Sequence, residues 1–260
     1  MTSTQQRNIL VTGAAGGIGT GLCTHFADRG ARVLALDVDE AGLAALAARR
    51  PGLVHPTVVD LLDAAAVAAA VSAFADAHGP VDVLINNAGA AAATALANLT
   101  PEAWRQDLDI NLTAAYHCVE AVKPAMIARG AGVIVNIGSV NAFHALGHPA
   151  YSAAKAGLIS YTRALAVEYG PLGIRANIIC PGTVRTQAWN ARAERNPDIF
   201  TALRKWYPLR DFPDPSDIAA AAEFLASDAA RMITGVVLPV DAGLTAGNPV
   251  MAAELTLERF

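Results

Sequence analysis

Charge is scarce in this chain. Of its 260 residues only 16% are Asp, Glu, Lys or Arg, and the 19 basic and 23 acidic side chains leave a formal net charge of −4. No basic run or patch is present, which excludes the electrostatic footprint of a nucleic-acid or anionic-membrane binder. Cysteine is scarce too. Cys23, Cys118 and Cys180 each lie in an apolar run without metal-ligand spacing, so they read as buried reduced thiols, not as a disulfide framework or a metal site. The six His form no metal constellation either. No apolar run approaches the ~20 residues of a membrane span. The amino end, MTSTQQRNILVTG, lacks a secretory pattern, so a cytoplasmic protein off the membrane is expected. Linkers are also missing, and with 53% hydrophobic residues the chain is long enough to bury a large core as a single domain over 1–260.

What is present is rhythm. Apolar runs NILVTG, RVLALD, LVHPTVVD, VDVLINNAG, GVIVNIGS, IRANIICPG and GVVLPVDAG alternate with long Ala-rich helical segments. That alternation predicts parallel strands joined by crossover helices: a doubly wound α/β sheet with helices on both faces and ligands at the strands' carboxyl ends. Pro56 falls inside the third run. A missing backbone donor is tolerable on an edge strand, and the third strand is an edge in the order 3-2-1-4-5-6-7.

Three places carry chemistry. Tyr151 and Lys155 stand four residues apart in PAYSAAKAGLISYTRALAVEYG and so share one helix face. An ammonium close to a phenol stabilises the phenolate and draws its pKa from ~10 toward the working range of a base. Ser139 ends the apolar run GVIVNIG and places a hydroxyl at a strand's carboxyl end, facing that helix. The turn Thr12-Gly13-Ala14-Ala15-Gly16-Gly17-Ile18-Gly19 leaves a strand and opens a helix, the context in which backbone approaches a pyrophosphate at a helix amino end. Asp37 closes the second strand, where a carboxylate accepts hydrogen bonds from an adenosine ribose and repels a 2′-phosphate; capping the next helix is the plainer reading of it.

With G-x-x-x-G-x-G, Y-x-x-x-K and the preceding serine in register over nearly the whole chain, the sequence resembles the short-chain dehydrogenase/reductase family in its shorter form. The resemblance implies a Rossmann-type fold and a nicotinamide dinucleotide as cofactor. Relatives that prefer NADP commonly carry Arg or Lys where this chain has Gly16 or Val38, so NAD is expected. Further positions match by motif. Asp60 and Leu61 correspond to the adenine contact. Asn87, Ala88 and Gly89 belong to the NNAG stretch along the adenosine side. Pro181, Gly182, Val184 and Thr186 belong to the PG-x-x-x-T turn that holds the nicotinamide amide. Asn111 corresponds to the asparagine that interrupts a helix and holds a water near the lysine, completing an Asn111-Ser139-Tyr151-Lys155 tetrad. Relatives are commonly homotetramers, and the same assembly is expected here.

The variable substrate lid of the family falls at about 187–212, QAWNARAERNPDIFTALRKWYPLRDF. It mixes Trp189, Phe200, Trp206 and Tyr207 with Arg192, Arg195, Arg204, Lys205 and Arg210. Aromatic faces suit a sugar ring and the cations an anionic substituent, whereas an amphipathic lid with its aromatics packed inward explains the same pattern. Arg185 enters the lid from the cofactor turn; pointing inward it would grip an oxyanion, pointing outward it is a solvated charge. Asn141 and His144 are expected on the opposite wall, His144 as a hydrogen bonder. The carboxyl end departs from the family: VDAG replaces the common VDGG, and a tail at about 247–260, NPVMAAELTLERF, extends past the last strand and is expected to pack on a neighbouring subunit.

The leading reading is an NAD-dependent oxidoreductase of a secondary alcohol or hemiacetal, such as a sugar, polyol or small cyclic alcohol, with an acidic substrate admitted through Arg185. The alternative is a 3-oxoacyl reductase acting on a carrier-protein or CoA substrate, with Arg129 and Arg163 as candidate docking cations. From another class, a nucleotide-responsive binding protein without turnover has the complete tetrad against it.

Overall fold

The computed structural model describes residues 6–258. Residues 1–5 of the amino end and residues 259–260 of the expected tail lie outside the described residues. Seven strands form one parallel sheet: β1 Asn8–Thr12, β2 Arg32–Asp37, β3 Val54–Val58, β4 Val83–Asn86, β5 Gly132–Ile137, β6 Ile174–Pro181 and β7 Val237–Val240. Their order is β3-β2-β1-β4-β5-β6-β7. Each strand lies within one of the seven apolar runs. β3 pairs with β2 alone, with Pro56 opposite Ala35, so the proline's missing N–H falls on an edge strand.

Both faces of the sheet are covered, which explains why the strands read as unbroken apolar runs. The helices are α1 Gly17–Ala27, α2 Glu40–Arg49, α3 Ala64–His78, α4 Pro101–Leu108, α5 Ala114–Arg129, α6 Pro149–Tyr169, α7 Gln187–Arg195, α8 Ile199–Arg204, α9 Pro215–Ala226 and α10 Pro249–Thr256. Side chains alternate along each strand. Ile9, Val11, Val33, Ala35, Val83, Ile85, Val133 and Val135 join Leu22 and Phe26 of α1, Leu43 of α2 and Ile218 of α9 in one core layer. Leu10, Leu34, Leu36, Leu84 and Ile134 join Val67 of α3, Val119 of α5 and Leu165 of α6 in the other. No helix among the described residues is long and apolar enough to cross a membrane.

The backbone departs from regular geometry in the π turn before α5 and in the VDAG stretch. Between α4 and α5 the chain makes a π turn over Asp109–Thr113, which buries Asn111; such turns disturb the helical ladder and recur at functional sites. In the VDAG stretch, Ala242 adopts a left-handed conformation at φ 52, while its carbonyl accepts from Leu209 N at 3.1 Å. The glycine common at this place in relatives bears that conformation without strain, and an alanine does not. Relief of ~1–2 kcal/mol of left-handed strain exceeds the ~0.4–1 kcal/mol of entropy that a glycine returns to the unfolded chain. Ala242→Gly is therefore expected to raise the melting temperature by about 1–3 °C, and a lowered temperature in calorimetry contradicts the strain assignment.

Candidate active site

The start of α1 and the carboxyl ends of β4, β5 and β6 surround a cleft of about 220 Å³ lined by Ile18, Asn87, Gly89, Ile137, Gly138, Ser139, Tyr151, Lys155, Pro181, Gly182, Val184, Thr186 and Trp189. Lys155, on α6, is only 3% exposed, and its Nζ donates to Ile137 O at 2.9 Å. Tyr151 lies one turn earlier on the same helix, with Nζ 5.6 Å from the ring centroid. Ser139 follows β5 and caps the short turn Val140–Ala142, its Oγ accepting from Asn141 N at 3.2 Å. Asn111 reaches the same place from the π turn. Its Nδ2 donates to Ala90 O at 2.7 Å and to Asp107 O at 2.8 Å, while its buried Oδ1 has no partner.

Gly89 lets these groups converge. A Cβ built on it stands 2.6 Å from Asn111 Oδ1 and 3.2 Å from Lys155 Nζ, so an orphan acceptor and a buried ammonium face the place where a side chain would otherwise be. Burial governs the protonation of the pair. It draws the Lys155 ammonium down to about 8 and pushes the Tyr151 phenol up, against a smaller pull downward from the Ser139 hydroxyl. The phenol is thus raised, not lowered as the nearby lysine led one to expect, because desolvation dominates where both groups are taken out of water together.

The Gly-rich turn fits a dinucleotide. Gly13 takes φ +62, and a Cβ there would lie 2.8 Å from Ala88 Cα; one on Gly19 would lie 2.0 Å from Gly13 O. α1 starts behind Gly16 without a side-chain cap, which leaves its amino end available to a pyrophosphate. Asn87 ties this turn to β4, donating from Nδ2 to Thr12 O and Gly13 O at 2.9 and 3.0 Å. Asp37 Oδ2 accepts from Ala15 N at 2.9 Å, and Oδ1 accepts from Val38 N and Asp39 N at 2.8 and 3.1 Å. The cap of α2 is Asp39, which accepts from Gly42 N, so Asp37 is not spent on that helix. Val38 is 68% exposed. Asp60 is exposed with Oδ1 bonded to Leu62 N, and Leu61 is buried.

A family model described as enoyl-(acyl carrier protein) reductase matches residues 13–245. The crystal structure of an oxidoreductase of the short-chain dehydrogenase/reductase family from Burkholderia thailandensis has a TM-score of 0.94 and 58% identity, covering 99% of this chain and 100% of that one. The chain belongs to the short-chain dehydrogenase/reductase family. It is an oxidoreductase acting on CH–OH groups, in a family that uses NAD(P). Among curated relatives, the D-threitol dehydrogenase of Mycolicibacterium smegmatis is 41% identical over 91% of this chain and 92% of its own. The galactitol 2-dehydrogenase (L-tagatose-forming) of Cereibacter sphaeroides is 39% identical over 90% and 93%.

The substrate side of this short-chain dehydrogenase/reductase decides between the two readings of Arg185 and leaves Asn141 and His144 out of the cleft lining. Arg185 does not face the cleft: its guanidinium is held by Asp211 and lies 3.6 Å from Asp214, stacked 5.8 Å from the Phe212 ring. A lid carboxylate and the Asp214 carboxylate at the start of α9 outcompete an oxyanion for the same fork. Asn141 serves its neighbours, with Nδ2 donating to Gly147 O at 3.1 Å and Ser152 Oγ at 3.4 Å. His144 is exposed and contributes nothing to the cleft lining.

In the lid, Trp189 of α7 lines the cleft and stacks with Arg192 at 5.0 Å. Phe200, Phe212 and Tyr207 continue inward to a Tyr207 Oη bond with Thr183 Oγ1 at 2.7 Å. The inward-packed reading of the lid therefore holds for these aromatics, and Arg192, Arg195, Arg204, Lys205 and Arg210 are all exposed.

Two residues beside the tetrad are not foreshadowed by any motif. Asp107 is buried under the Ala90–Thr94 wall, and His148 opens α6 in a left-handed conformation, its ring 6.4 Å from that of Tyr151 and its buried Nδ1 without a partner. Their signals in the sequence are faint: a carboxylate one turn before Asn111 and a histidine before Pro149. Gly89→Ala is expected to lower kcat at least about tenfold, or 1.4 kcal/mol, by driving Asn111 and Lys155 apart. An unchanged kcat in steady-state assays shows that the space between them is not used.

Proposed function

We propose that this chain is an NAD-dependent dehydrogenase of polyols or sugars, oxidising a secondary alcohol to a ketone and working in reverse as a carbonyl reductase. The observation that carries the reading is the convergence of Tyr151, Ser139 and Lys155 on one cleft beside the uncapped start of α1, with Asn111 Oδ1 meeting Lys155 Nζ at Gly89. The names of the threitol and galactitol relatives support a polyhydroxy substrate, and the engagement of Arg185 by Asp211 and Asp214 favours a neutral one. The Gly13–Gly19 turn would hold the pyrophosphate, Asp37 the adenosine ribose, Asp60 and Leu61 the adenine end, and Val184 with Thr186 the nicotinamide amide. When bound, the cofactor accepts the hydride from the carbinol carbon.

Ser139 donates a hydrogen bond to the substrate oxygen and orients it. Tyr151 takes the hydroxyl proton. Lys155, still mostly charged at neutral pH with its ammonium drawn down to about 8, offers the donors not spent on Ile137 O to the nicotinamide ribose and stabilises the phenolate. Asn111 Oδ1, lacking a protein partner, would hold a water that passes the proton outward. Trp189 offers an aromatic face to the substrate's carbon chain.

A carrier-protein reductase has less support. Arg129 pairs with Asp82 at 3.1 Å and donates to Val81 O and Ala131 O, at the amino ends of β4 and β5 and away from the cleft mouth. We also propose a homotetramer, to which the exposed Tyr116 of α5 and Val167 of α6 and the apolar Met251 and Leu255 of α10 offer contact surface.

Cofactor reduction measured against a panel of tetritols, hexitols, aldoses, hydroxy acids and 3-hydroxyacyl thioesters tests the substrate class; the best turnover on a thioester or an acid rejects it. Tyr151→Phe should reduce turnover by the ~10²–10⁴ that a general base contributes while leaving NAD binding nearly intact. A variant that keeps a tenth of the wild-type rate removes Tyr151 from this role. Asp37 with no cation at Gly16 or Val38 should favour NAD over NADP by more than about tenfold in kcat/KM, since a lost ribose bond and a like-charge clash are each worth ~1–3 kcal/mol. Equal kcat/KM values for the two cofactors would show that Asp37 does not face the ribose.

A further inference from the structure

A second, much smaller cavity borders Asn111. Thr12 at the end of β1, Asn86 at the end of β4 and Asn111 in the π turn are 1%, 4% and 1% exposed, and all three line a space of about 10 Å³. The rest of its wall is apolar, Leu61, Ala114 and Leu158 included, and it shares no lining residue with the catalytic cleft. Two of its three polar residues are incomplete: Asn86 Oδ1 and Asn111 Oδ1 are cut off from solvent and have no partner in the protein. Orphan acceptors this deep are costly, and two on one cavity call for a shared partner.

The neighbouring bonds fix which way each group faces. Thr162 spends its only proton on Leu158 O at 2.7 Å, so its Oγ1 must accept from Asn136 Nδ2 at 2.8 Å. Asn136 Oδ1 then accepts from Asn86 Nδ2 at 2.9 Å, and the free end of that chain is an acceptor, Asn86 Oδ1. Asn111 gives its Nδ2 protons to two carbonyls, Ala90 O at 2.7 Å and Asp107 O at 2.8 Å, so its free atom is an acceptor as well. Thr12 is the opposite case. Its Oγ1 accepts from Asn87 N at 3.0 Å and Ala88 N at 3.1 Å, which occupies both lone pairs and leaves its O–H to give.

Two acceptors and one donor around this space complement a single water, which donates two hydrogen bonds and accepts one; a volume of ~10–15 Å³ is what one water needs. A metal ion is ill matched, because two amide oxygens fall far short of its oxygen shell, and no charged side chain lines the cavity.

We propose that the cavity is a built site for one water, which donates to Asn86 Oδ1 and Asn111 Oδ1, accepts from Thr12 Oγ1, and so positions the Asn111 amide. The water joins the strand that leads into the cofactor turn to the residue that meets Lys155 at Gly89. Asn111 Oδ1 keeps its second lone pair for that side. Occupancy of the site does not depend on the activity proposed above, whereas the positioning role rests on reading Asn111 as a member of the tetrad.

A high-resolution crystal structure of the full chain tests occupancy. One peak within about 2.6–3.2 Å of all three atoms is expected; an empty cavity, or a peak at the ~2.0–2.4 Å of a metal–oxygen bond, overturns the proposal. Asn86→Leu and Asn136→Leu both break the Asn86–Asn136 bond, but only the first takes an acceptor from the cavity. ¹⁷O magnetic relaxation dispersion, which counts long-lived buried waters in solution, should find one fewer in Asn86→Leu than in Asn136→Leu.

With that water gone, kcat is expected to be about five- to tenfold lower in Asn86→Leu than in Asn136→Leu, while the Kd for NAD agrees within about twofold. Equal kcat values, or a loss confined to NAD affinity, overturn the positioning role. If the Leu variants do not fold, Thr12→Val removes the donor at constant shape and Thr12→Ser is the control that keeps it, with the same expected contrast. A chain that shows the peak but turns over no alcohol refutes the proposed function and not the water site.

Discussion

An ammonium kept out of water is the constraint around which this enzyme is built. Lys155 is almost fully buried and has a single backbone acceptor in Ile137 O, an arrangement that folding alone does not favour because the charged form loses its hydration. Everything nearby makes it tolerable. Two apolar core layers hold β5 and α6 in place, Gly89 leaves room in front of the amine, and Asn111 brings an unpartnered oxygen to the same spot. The result is a lysine drawn down to about 8 beside a phenol pushed up, so that near neutral pH the ammonium and the phenol both keep their protons.

The second organising element is the segment from Asn87 to Thr94, which is held from several sides. Asn87 staples it to the Gly-rich turn, Asn111 Nδ2 holds Ala90 O, Asp107 holds Ala92 N, and His148 N donates to Thr94 O at 3.0 Å. The Gly-rich turn, the π turn, α4 and the start of α6 thus share one short stretch of backbone, and a change in any of them is felt on both the cofactor and the substrate sides of the cleft. Because these bonds reach across four elements, they also couple the geometry of the tetrad to the wall that a substrate touches.

The fold was legible in the chain because its signals are local and redundant. Buried parallel strands must be apolar on both faces, so seven runs announced seven strands, and Pro56 marked an edge. The cofactor turn was equally legible, since Gly13 and Gly19 stand where backbone or carbonyl approaches too closely for a side chain. Substrate-side residues were not. Asn141 and His144 were expected near the substrate by position alone and the direction of Arg185 was left open, yet Arg185 found two carboxylates, Asn141 was taken up by Gly147 and Ser152, and His144 stayed exposed. A side chain's direction depends on which partners the fold brings within reach, and those partners lie far along the chain or in a lid whose packing is not periodic.

By itself, the sequence determined the seven strands, the dinucleotide turn and the spacing that puts Tyr151 and Lys155 on one helix face, because each follows from periodicity or from backbone geometry over a few residues. Only the tertiary structure decided the protonation balance of that pair and the company they keep. Burial, which no local pattern expresses, overrides the lowering that a nearby ammonium would produce. The same burial isolates Asp107, a residue that in sequence is one more acid on a polar helix and in the fold is a buried carboxyl with one oxygen unpartnered beneath the cleft wall. Desolvation is set by the whole surrounding structure, and so the electrostatics of the site belongs to the fold and not to the motif.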